Sequence, residues 1–316
     1  MPPPVHPVRA PPVVSRDMHE VFDSATARSV MERACAGAGL PFQGAQQIAL
    51  GENAVFALDG GPAPGVVVRV GRDAGLLERA RREVRVASWL AREGVPAVRP
   101  ADGAPEPALV DGHPVTFWRR LPDPVRPAGG ADLAGLLRRV HALGRPPFPL
   151  PPRDLLSGVE RWLAAAEGHI DPDDADYLAR RRDAFAEKAD ALAPLLPTGP
   201  VHGDALLRNV HVGPDGPVLV DLETFADDMR EHDLVVMWLM RDRYGMPEEE
   251  YRAFTRAYGW DVSEWEGAAV LRGARETASA AWVAQHTPGD PGALAEFQRR
   301  VASLRDGDPS VRWRPF

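Results

Sequence analysis

The chain has 316 residues, of which 44% are apolar and 26% are charged, so it can bury a large core and form about two domains or one bilobal unit. A formal charge of −8 disfavours nucleic-acid binding, and no run of about 18 apolar residues predicts a membrane span. The single cysteine, Cys35, cannot form a disulfide within the chain, so we expect a reducing, cytoplasmic location. Composition leaves the oligomeric state open.

The predicted elements divide the chain into three parts. Residues 1–19 contain six prolines, which predicts an extended, disordered tail. Residues 20–118 show strand patterns around one helix, whereas residues 119–316 are mainly helical. Strands followed by helices are typical of an α+β protein, here with a small β-rich N-terminal lobe and a larger helical C-terminal lobe.

The first lobe begins with two short strands within residues 47–58, separated by a turn at Gly51. The β-branched run at 66–70 predicts the next strand. Residues 74–93 show apolar side chains at helical spacing, and Gly94 stands where a C-cap glycine is expected. The dipeptide Asp111-Gly112 predicts a hairpin turn between two further strands.

The second lobe follows a proline-rich hinge at residues 121–127. Residues 131–143 predict a helix with one apolar face. Asp171 and Pro172 are typical of the N-cap and first position of another helix. Residues 263–266, Ser-Glu-Trp-Glu, predict a capping box before a long alanine-rich helix.

The segment from His202 to Glu223 carries the residues expected for phosphoryl transfer. This chemistry needs one carboxylate to receive or orient the attacking hydroxyl, and oxygen ligands that hold magnesium against the phosphates. Asp204 and Asn209 are five positions apart, as in the catalytic loop of protein kinases. A hairpin with its turn at residues 213–216 would return Asp221 to the side of Asn209.

The motif His202-Gly203-Asp204, with Asn209 and then Asp221, resembles the aminoglycoside phosphotransferase family of protein-kinase-like small-molecule kinases. Further resemblances between residues 45 and 235 are the Gly51 turn, the third-strand Arg69, the helix that contains Glu83, the Val-His-Ala-Leu element with His141, and Asp233-Leu234.

This resemblance implies a bilobal protein-kinase-like fold and a reaction in which ATP and Mg²⁺ phosphorylate a hydroxyl of a small molecule. Asp204 would be the catalytic base, while Asn209 and Asp221 would bind magnesium. The nucleotide-binding positions that it implies are Gly51, Asn53, Arg69, Glu83 and the backbone near Trp118 and Arg120.

Arg69 departs from the family pattern, which usually has lysine at this strand position. Lys188 is the chain's only lysine, so a general replacement of lysine by arginine accounts for the change. Arginine keeps the charge and can bind phosphate through two N–H groups, although it is bulkier. A weak kinase or a non-catalytic nucleotide-binding pseudokinase is the alternative hypothesis.

The acceptor is left open by the motifs. Acidic side chains after the catalytic segment, Glu223, Asp227 and Glu231, are candidates for contacting an amino-sugar or another cation, or else form a solvated face. We rank an aminoglycoside or similar hydroxylated antibiotic or metabolite first. A protein kinase is a further alternative, although Leu222-Glu223 follows Asp221 where Phe-Gly is expected, and no Ala-Pro-Glu follows.

Overall fold

The computed structural model describes residues 22–40, 42–51, 53–60 and 65–316. The predicted tail at 1–19 lies outside the described residues, so its disorder stays a prediction. None of the described helices is both long and apolar enough for a membrane crossing.

The N-terminal region contains a five-stranded antiparallel sheet in the order β1-β2-β3-β5-β4. Its strands are β1 (Gly44–Leu50), β2 (Asn53–Asp59), β3 (Val66–Gly71), β4 (Ala108–Val110) and β5 (His113–Arg119). Helix α2 (Leu77–Arg92) follows a 3₁₀ turn at Ala74–Leu76, which agrees with the helix predicted at 74–93. The left-handed φ of +72° at Gly94 supports the predicted C-cap.

Our prediction of one helix in this lobe was wrong, because α1 (Ser24–Gly37) precedes the sheet. Asp23 caps this helix by accepting the N–H of Thr26. Its buried residues are Ala27, Val30, Met31, Ala34 and Cys35, at the spacing of one helical face. Small side chains at several of these positions make the amphipathic pattern weak, which is why α1 escapes a search by hydrophobicity.

The C-terminal region is mainly helical. It contains α3 (Gly130–His141), α4 (Val159–Ala165), α5 (Pro172–Asp190), α6 (Glu231–Tyr244), α7 (Glu248–Tyr258), α8 (Ala268–Ala284) and α9 (Pro291–Arg305). Two small antiparallel pairs complete it: β6 (Gly199–Val201) with β9 (Ala226–Asp228), and β7 (Val210–Gly213) with β8 (Gly216–Leu219). The predicted α+β architecture with two lobes is therefore confirmed.

Two predicted helix starts have different outcomes. Asp171 caps α5 and Pro172 is its first residue, as predicted. The predicted capping box at 263–266 is wrong, since α8 begins only at Ala268. Asp261 instead accepts the N–H and hydroxyl of Ser263, and this local competition makes the segment a 3₁₀ turn.

The segment between α2 and β4 forms hydrogen bonds with both lobes. Val98 donates to the carbonyl of Leu219, and Leu219 donates to that of Pro96, so the segment runs beside β8. Further along, Ala101 donates to Phe117 on β5. Buried side chains of α2, α3, the β7–β8 hairpin and α6 form one apolar cluster across the junction. This cluster holds the hairpin against the sheet-bearing lobe.

The close contact between α3 and α7 makes a specific packing prediction. A Cβ at Gly130 would lie 2.6 Å from the backbone oxygen of Glu250, whereas a Cβ at Gly135, on the exposed side of α3, would meet nothing within 4 Å. We expect Gly130→Ala to lower the free energy of unfolding by about 1–3 kcal/mol through overpacking. Gly135→Ala should raise it by about 0.5–1 kcal/mol through its better helix propensity. Urea unfolding of both variants tests this, and equal effects would contradict the packing.

Candidate active site

The candidate catalytic loop, residues 202–209, follows β6 and is held by the buried carboxylate of Asp233 on α6. Asp233 accepts the backbone N–H groups of His202 and Gly203, both at 2.7 Å. Its Oδ2 also accepts from Nε2 of His141 on α3, at 3.0 Å, and the other ring nitrogen of His141 lies 2.9 Å from the Tyr258 hydroxyl. His141 is therefore a satisfied core histidine, as the helical pattern predicted.

The loop also requires a glycine before the candidate base. Gly203 has a φ of +82°, and a Cβ there would collide with the carbonyl oxygen of Thr224. His202 is fully buried, with its Nε2 3.1 Å from the carbonyl oxygen of Val220. Its Nδ1 accepts the N–H of Asp204 at 3.3 Å. These contacts support the expected orienting role of His202.

Asp204 and Asn209 are in direct contact. The side-chain amide of Asn209 donates from Nδ2 to the carbonyl oxygen of Asp204 at 2.8 Å and to its carboxylate Oδ2 at 3.1 Å. Burial disfavours the Asp204 carboxylate, but the charges of Arg275 and Arg208 outweigh it and hold its pKa below the usual value. Asp204 is therefore ionised at neutral pH and can accept a hydroxyl proton or orient a hydroxyl.

The β7–β8 hairpin brings Asp221 back to Asn209, as the turn signals predicted. Val210 pairs with Leu219, and the N–H of Val220 donates to the carbonyl of Asn209 at 3.0 Å. Asp221 itself has a left-handed backbone, with φ of 58° and ψ of 65°. Non-glycine residues adopt this conformation rarely and at an energetic cost, so the surrounding structure has to maintain it.

Asn209 and Asp221 supply oxygen ligands of the kinds that magnesium prefers. With Nδ2 of Asn209 committed to Asp204, its carbonyl oxygen remains as a ligand, and Asp221 adds a carboxylate. The described ranges contain no group of three or more His, Cys, Asp or Glu side chains suited to a metal. Two protein ligands still fit magnesium, because waters and phosphate oxygens complete its shell in kinase sites.

Arg69 on β3 and Glu83 on α2 form the predicted pair. Nη1 of Arg69 donates to both carboxylate oxygens of the buried Glu83, at 2.8 and 2.9 Å. The amide oxygen of Asn53, in the orientation that satisfies both groups, accepts from Nε and Nη2 of Arg69 at 3.2 and 3.0 Å. Burial raises the pKa of Glu83, with Arg69 opposing the effect. This cluster joins β2, β3 and α2.

Glu223, a candidate for contacting the acceptor, instead forms ion pairs with two arginines of the protein. Its carboxylate lies 2.6 Å from Nη2 of Arg69 and 3.6 Å from Nη1 of Arg79, so it faces the N-terminal lobe. Burial, followed by the charge of Asp221, raises the pKa of Glu223 to about 7. A cavity of about 20 Å³ beside Arg69 leaves room for about one water, so phosphate contact with Arg69 requires these side chains to move.

The other acidic candidates serve mainly structural contacts. Glu231 is fully buried, and its Oε1 accepts the N–H groups of Leu195 and Leu196. We therefore withdraw it as an acceptor contact, since a buried carboxylate with these partners cannot reach a ligand. Asp227 is partly exposed and pairs with Nε of Arg145 at 2.6 Å. Its contact with an acceptor stays a prediction.

The remaining nucleotide candidates lie at the edges of the sheet. Gly51 forms the tight β1–β2 turn, and its carbonyl accepts from Arg72. Trp118 is buried, with its indole N–H bonded to Thr116. The backbone N–H groups of Arg119 and Arg120 donate to Arg99 and Gly65. An adenine contact here stays a prediction, and it would have to use other backbone atoms of the hinge.

Two arginines at the site were missed by sequence reasoning. Nη2 of Arg275, on α8, lies 2.5 Å from Oδ1 of Asp204. Nε of Arg153, in the loop between α3 and α4, donates to the carbonyl oxygen of Gly203 at 2.8 Å. Neither residue belongs to a recognised motif. Arg275 lies between Arg272 and Glu276 on α8, so no local pattern singled it out.

Together, the fold and the loop geometry define a phosphotransferase of the protein-kinase-like class. A family model described as "Phosphotransferase enzyme family" (APH) matches residues 44–271, which is more than two thirds of the chain. The chain therefore belongs to this family. A search of curated proteins gave no match.

Solved structures with the same fold include several small-molecule kinases. The amicoumacin kinase hAmiN is 13% identical with a TM-score of 0.66, covering 92% of this chain and 98% of its own. A microcompartment-associated aminopropanol kinase is 17% identical with a TM-score of 0.65, covering 92% and 99%. The choline kinase LicA from Streptococcus pneumoniae is 14% identical with a TM-score of 0.62, covering 90% and 100%. At these identities the likeness establishes the fold alone.

Removing the charge of Asp233 should loosen the catalytic loop in a pH-dependent way. Although burial disfavours its charged form, the hydrogen bond from His141 and the nearby His charges hold the pKa of Asp233 below its usual value. A depressed folded-state pKa contributes stability above the unfolded value of about 3.9, and this stability is lost as pH falls through the folded value. We expect Asp233→Asn to lower the free energy of unfolding by about 3–5 kcal/mol at neutral pH.

Urea unfolding of wild type and Asp233→Asn from neutral pH down to about pH 2 measures this effect. The difference between the two proteins in their free energy of unfolding should become smaller as pH falls below about 4. Asp215→Asn, in the exposed turn between β7 and β8, is the matched control and should unfold like the wild type. A difference that is small or independent of pH would show that Asp233 does not hold the loop as a charged group.

Proposed function

We propose that this protein is a magnesium-dependent phosphotransferase that moves the γ-phosphoryl group of ATP to a hydroxyl of a small molecule. The observation that carries the proposal is the 3.1 Å contact of Asn209 with the Asp204 carboxylate, with Asp221 returned to Asn209 by the hairpin. One base and two oxygen ligands within a single rigid segment are what phosphoryl transfer requires of a protein.

Each group then has a defined task. Asp204 accepts or orients the proton of the acceptor hydroxyl. Asn209 and Asp221 offer the oxygen ligands for magnesium, which when bound neutralises charge on the phosphates. Arg69, held by Glu83, is placed to contact the α- and β-phosphates once it leaves Glu223. Gly51, Asn53 and the hinge near Trp118 and Arg120 would complete the nucleotide site.

The biological role follows from the acceptor. An antibiotic acceptor would give resistance or self-protection, and a metabolite acceptor would give salvage or biosynthesis. In either case we expect the protein to act in the cytoplasm.

A nucleotide-binding protein without catalysis is the second candidate, and one observation favours it. Two carboxylates and one amide already bind the Arg69 guanidinium, so a phosphate would have to compete with these side chains for it. The contact between Asp204 and Asn209 argues against this candidate. Nucleotide binding without phosphorylation of any acceptor would support it.

The catalytic role of Asp204 is tested by Asp204→Asn, which keeps the shape of the side chain but removes the base. We expect kcat to fall by about 10²–10⁴-fold with little change in ATP affinity. ADP release is measured with magnesium and a panel of aminoglycosides, macrolides, nucleoside antibiotics, choline, homoserine and sugars. Chelation of magnesium should abolish turnover, and Asp215→Asn should match the wild type. Equal rates for wild type and Asp204→Asn would contradict the assignment of Asp204 as the catalytic base.

Arg69 is tested by comparing Arg69→Gln with Arg69→Lys. Loss of the charge should weaken ATP binding by about 10–100-fold, because one charge-assisted phosphate contact disappears. The lysine variant should recover most of this loss, since it restores the charge. Arg92→Gln, at the exposed end of α2, serves as the control. Calorimetric titration with ATP and magnesium gives the affinities, and an unchanged affinity in Arg69→Gln would remove Arg69 from the nucleotide site.

A further inference from the structure

The two carboxylate oxygens of Asp204 face different surroundings. Oδ2 lies 3.1 Å from Nδ2 of Asn209, on the side that leads to Asp221. Oδ1 lies 2.5 Å from Nη2 of Arg275, which comes from α8. The candidate base thus stands between the proposed magnesium ligands and a basic side chain of the helical lobe.

Arg153 adds a second guanidinium to this basic side. Its Nε donates to the carbonyl oxygen of Gly203 at 2.8 Å, and Nη1 of Arg275 approaches the same oxygen at 3.5 Å. Nη1 of Arg153 donates to the carbonyl oxygen of Asp154 at 3.3 Å. Within the described ranges, no carboxylate lies within ion-pair distance of the Arg153 guanidinium, so Asp204 is the one paired carboxylate for two arginines.

Nearby acidic groups are committed elsewhere. Asp228 accepts the backbone N–H groups of Arg153 and Met229. Asp154 accepts the N–H groups of Leu156 and Ser157. Their charges act on the arginines only from a distance, and Arg208 adds a further positive charge 3.4 Å from Oδ2 of Asp204.

Arg153 has no directly paired carboxylate among the described residues. Burial, followed by the charge of Arg275, lowers the pKa of Arg153 to about 10, while the charges of Asp204, Asp233 and Asp154 oppose this shift from a distance, so Arg153 stays protonated. Burial lowers the pKa of the neighbouring His232 to about 4, so it is neutral. A buried guanidinium without a directly paired counter-ion is costly. The cluster is therefore suited to an anion brought by a ligand.

The position of the cluster indicates which ligand this is. The proposed nucleotide contacts Asn53, Arg69 and Glu83 belong to the sheet-bearing lobe. Arg153 and Arg275 belong to the helical lobe: Arg275 contacts the other carboxylate oxygen of Asp204, and Arg153 contacts the carbonyl oxygen of the preceding Gly203. An acceptor whose hydroxyl reaches Asp204 would place its remaining atoms beside these arginines.

We infer that Arg153 and Arg275 form a subsite for an anionic group of the acceptor, so that the substrate is an alcohol carrying a carboxylate or a phosphate, not a polycationic amine. This inference rests on the proposed function. Each guanidinium has five N–H donors, so Arg275 can bind the anion while it still contacts Asp204. Planar, forked donors also match the geometry of carboxylate and phosphate.

The anionic group is unchanged in the reaction. The acceptor hydroxyl oxygen forms a bond to the γ-phosphorus of ATP, and its proton passes to Asp204. The bond from this phosphorus to the β–γ bridging oxygen breaks, and ADP leaves with that oxygen and its electron pair. The arginines hold the acceptor so that its hydroxyl lies at Asp204, which makes them positioning and specificity residues.

Matched acceptors test the inference directly. Hydroxy acids without an amine, such as glycerate, are compared with their neutral amides, sugar phosphates with the free sugars, and both groups with cationic amino-alcohols and aminoglycosides. We expect the wild type to favour an anionic member over its neutral partner by about 100-fold in kcat/KM, as one charge-assisted pair of contacts predicts. Comparing the hydroxy acids with the sugar phosphates shows whether a carboxylate or a phosphate is bound. A preference for neutral or cationic acceptors would overturn the inference while leaving the proposed function intact.

Variants then assign the preference to its residues. Arg153→Gln should raise KM for the anionic acceptor by about 10–100-fold more than it raises KM for the neutral partner, and Arg153→Lys should recover part of this loss. Arg275→Gln should reduce the same preference and also alter kcat, because it contacts Asp204. Arg180→Gln, exposed on α5, is the charge-matched control. An unchanged preference in Arg153→Gln would contradict the subsite.

A binding measurement separates this inference from the reaction. The melting temperature is followed against inorganic phosphate at fixed ionic strength without nucleotide. We expect phosphate to stabilise the wild type and Arg69→Gln, and to bind at least about tenfold more weakly to Arg153→Gln and Arg275→Gln. Loss of stabilisation in Arg69→Gln alone would assign the anion to the nucleotide site and overturn the inference. Phosphate binding at Arg153, with no ATP turnover on any acceptor, would support the subsite and contradict the proposed function.

Discussion

The contact on which the active site depends is the acceptance of two successive backbone N–H groups by Asp233. These bonds to His202 and Gly203 hold the catalytic loop to α6, and the bond from His141 adds α3 to the same carboxylate. Because hydrogen bonds to a buried charge are short and strong, they fix the path of the loop before any ligand is present. The orientation of Asp204, and its contact with Asn209, follow from that path.

Arg69 shows how one substitution at a conserved type of position changes the neighbouring chemistry. A lysine offers a compact point charge, whereas the planar guanidinium donates in several fixed directions. Here it contacts Glu83 from α2, Glu223 from the segment after the hairpin, and Asn53 from β2. The arginine therefore joins both lobes through ion pairs. In the proposed function, a phosphate of the nucleotide would compete with Glu223 for this guanidinium.

The two sides of Asp204 carry different kinds of information about function. The side toward Asn209 and Asp221 carries the motif predicted for phosphoryl transfer, and it lies within residues 44–271, which match the phosphotransferase family. The side toward Arg153 and Arg275 is made by a loop and a C-terminal helix outside those motifs. Fold similarity at 13–17% identity says nothing about this second side. The acceptor therefore has to be argued from its charges and contacts.

How much of the molecule could be predicted depends on how local each signal is. The catalytic loop, the β7–β8 hairpin and the cap of α5 are encoded within short segments by turn and capping residues, so their prediction succeeded. Helix α1 was missed because small side chains weaken its apolar pattern, and the capping box at 263–266 failed because Asp261 competes for Ser263. These failures arise where a single local pattern is ambiguous.

The amino-acid sequence by itself determined the family and the order of the lobes, and its closely spaced motif residues predicted the positions for phosphoryl transfer. Only the tertiary structure decided the surroundings of the acidic and basic side chains. It buried Glu231 against Leu195 and Leu196, turned Glu223 toward Arg69, and brought Arg275 to Asp204 across 71 positions of the chain. Whether a charge binds a ligand depends on its partners in space, and these long-range contacts form only when the helices pack.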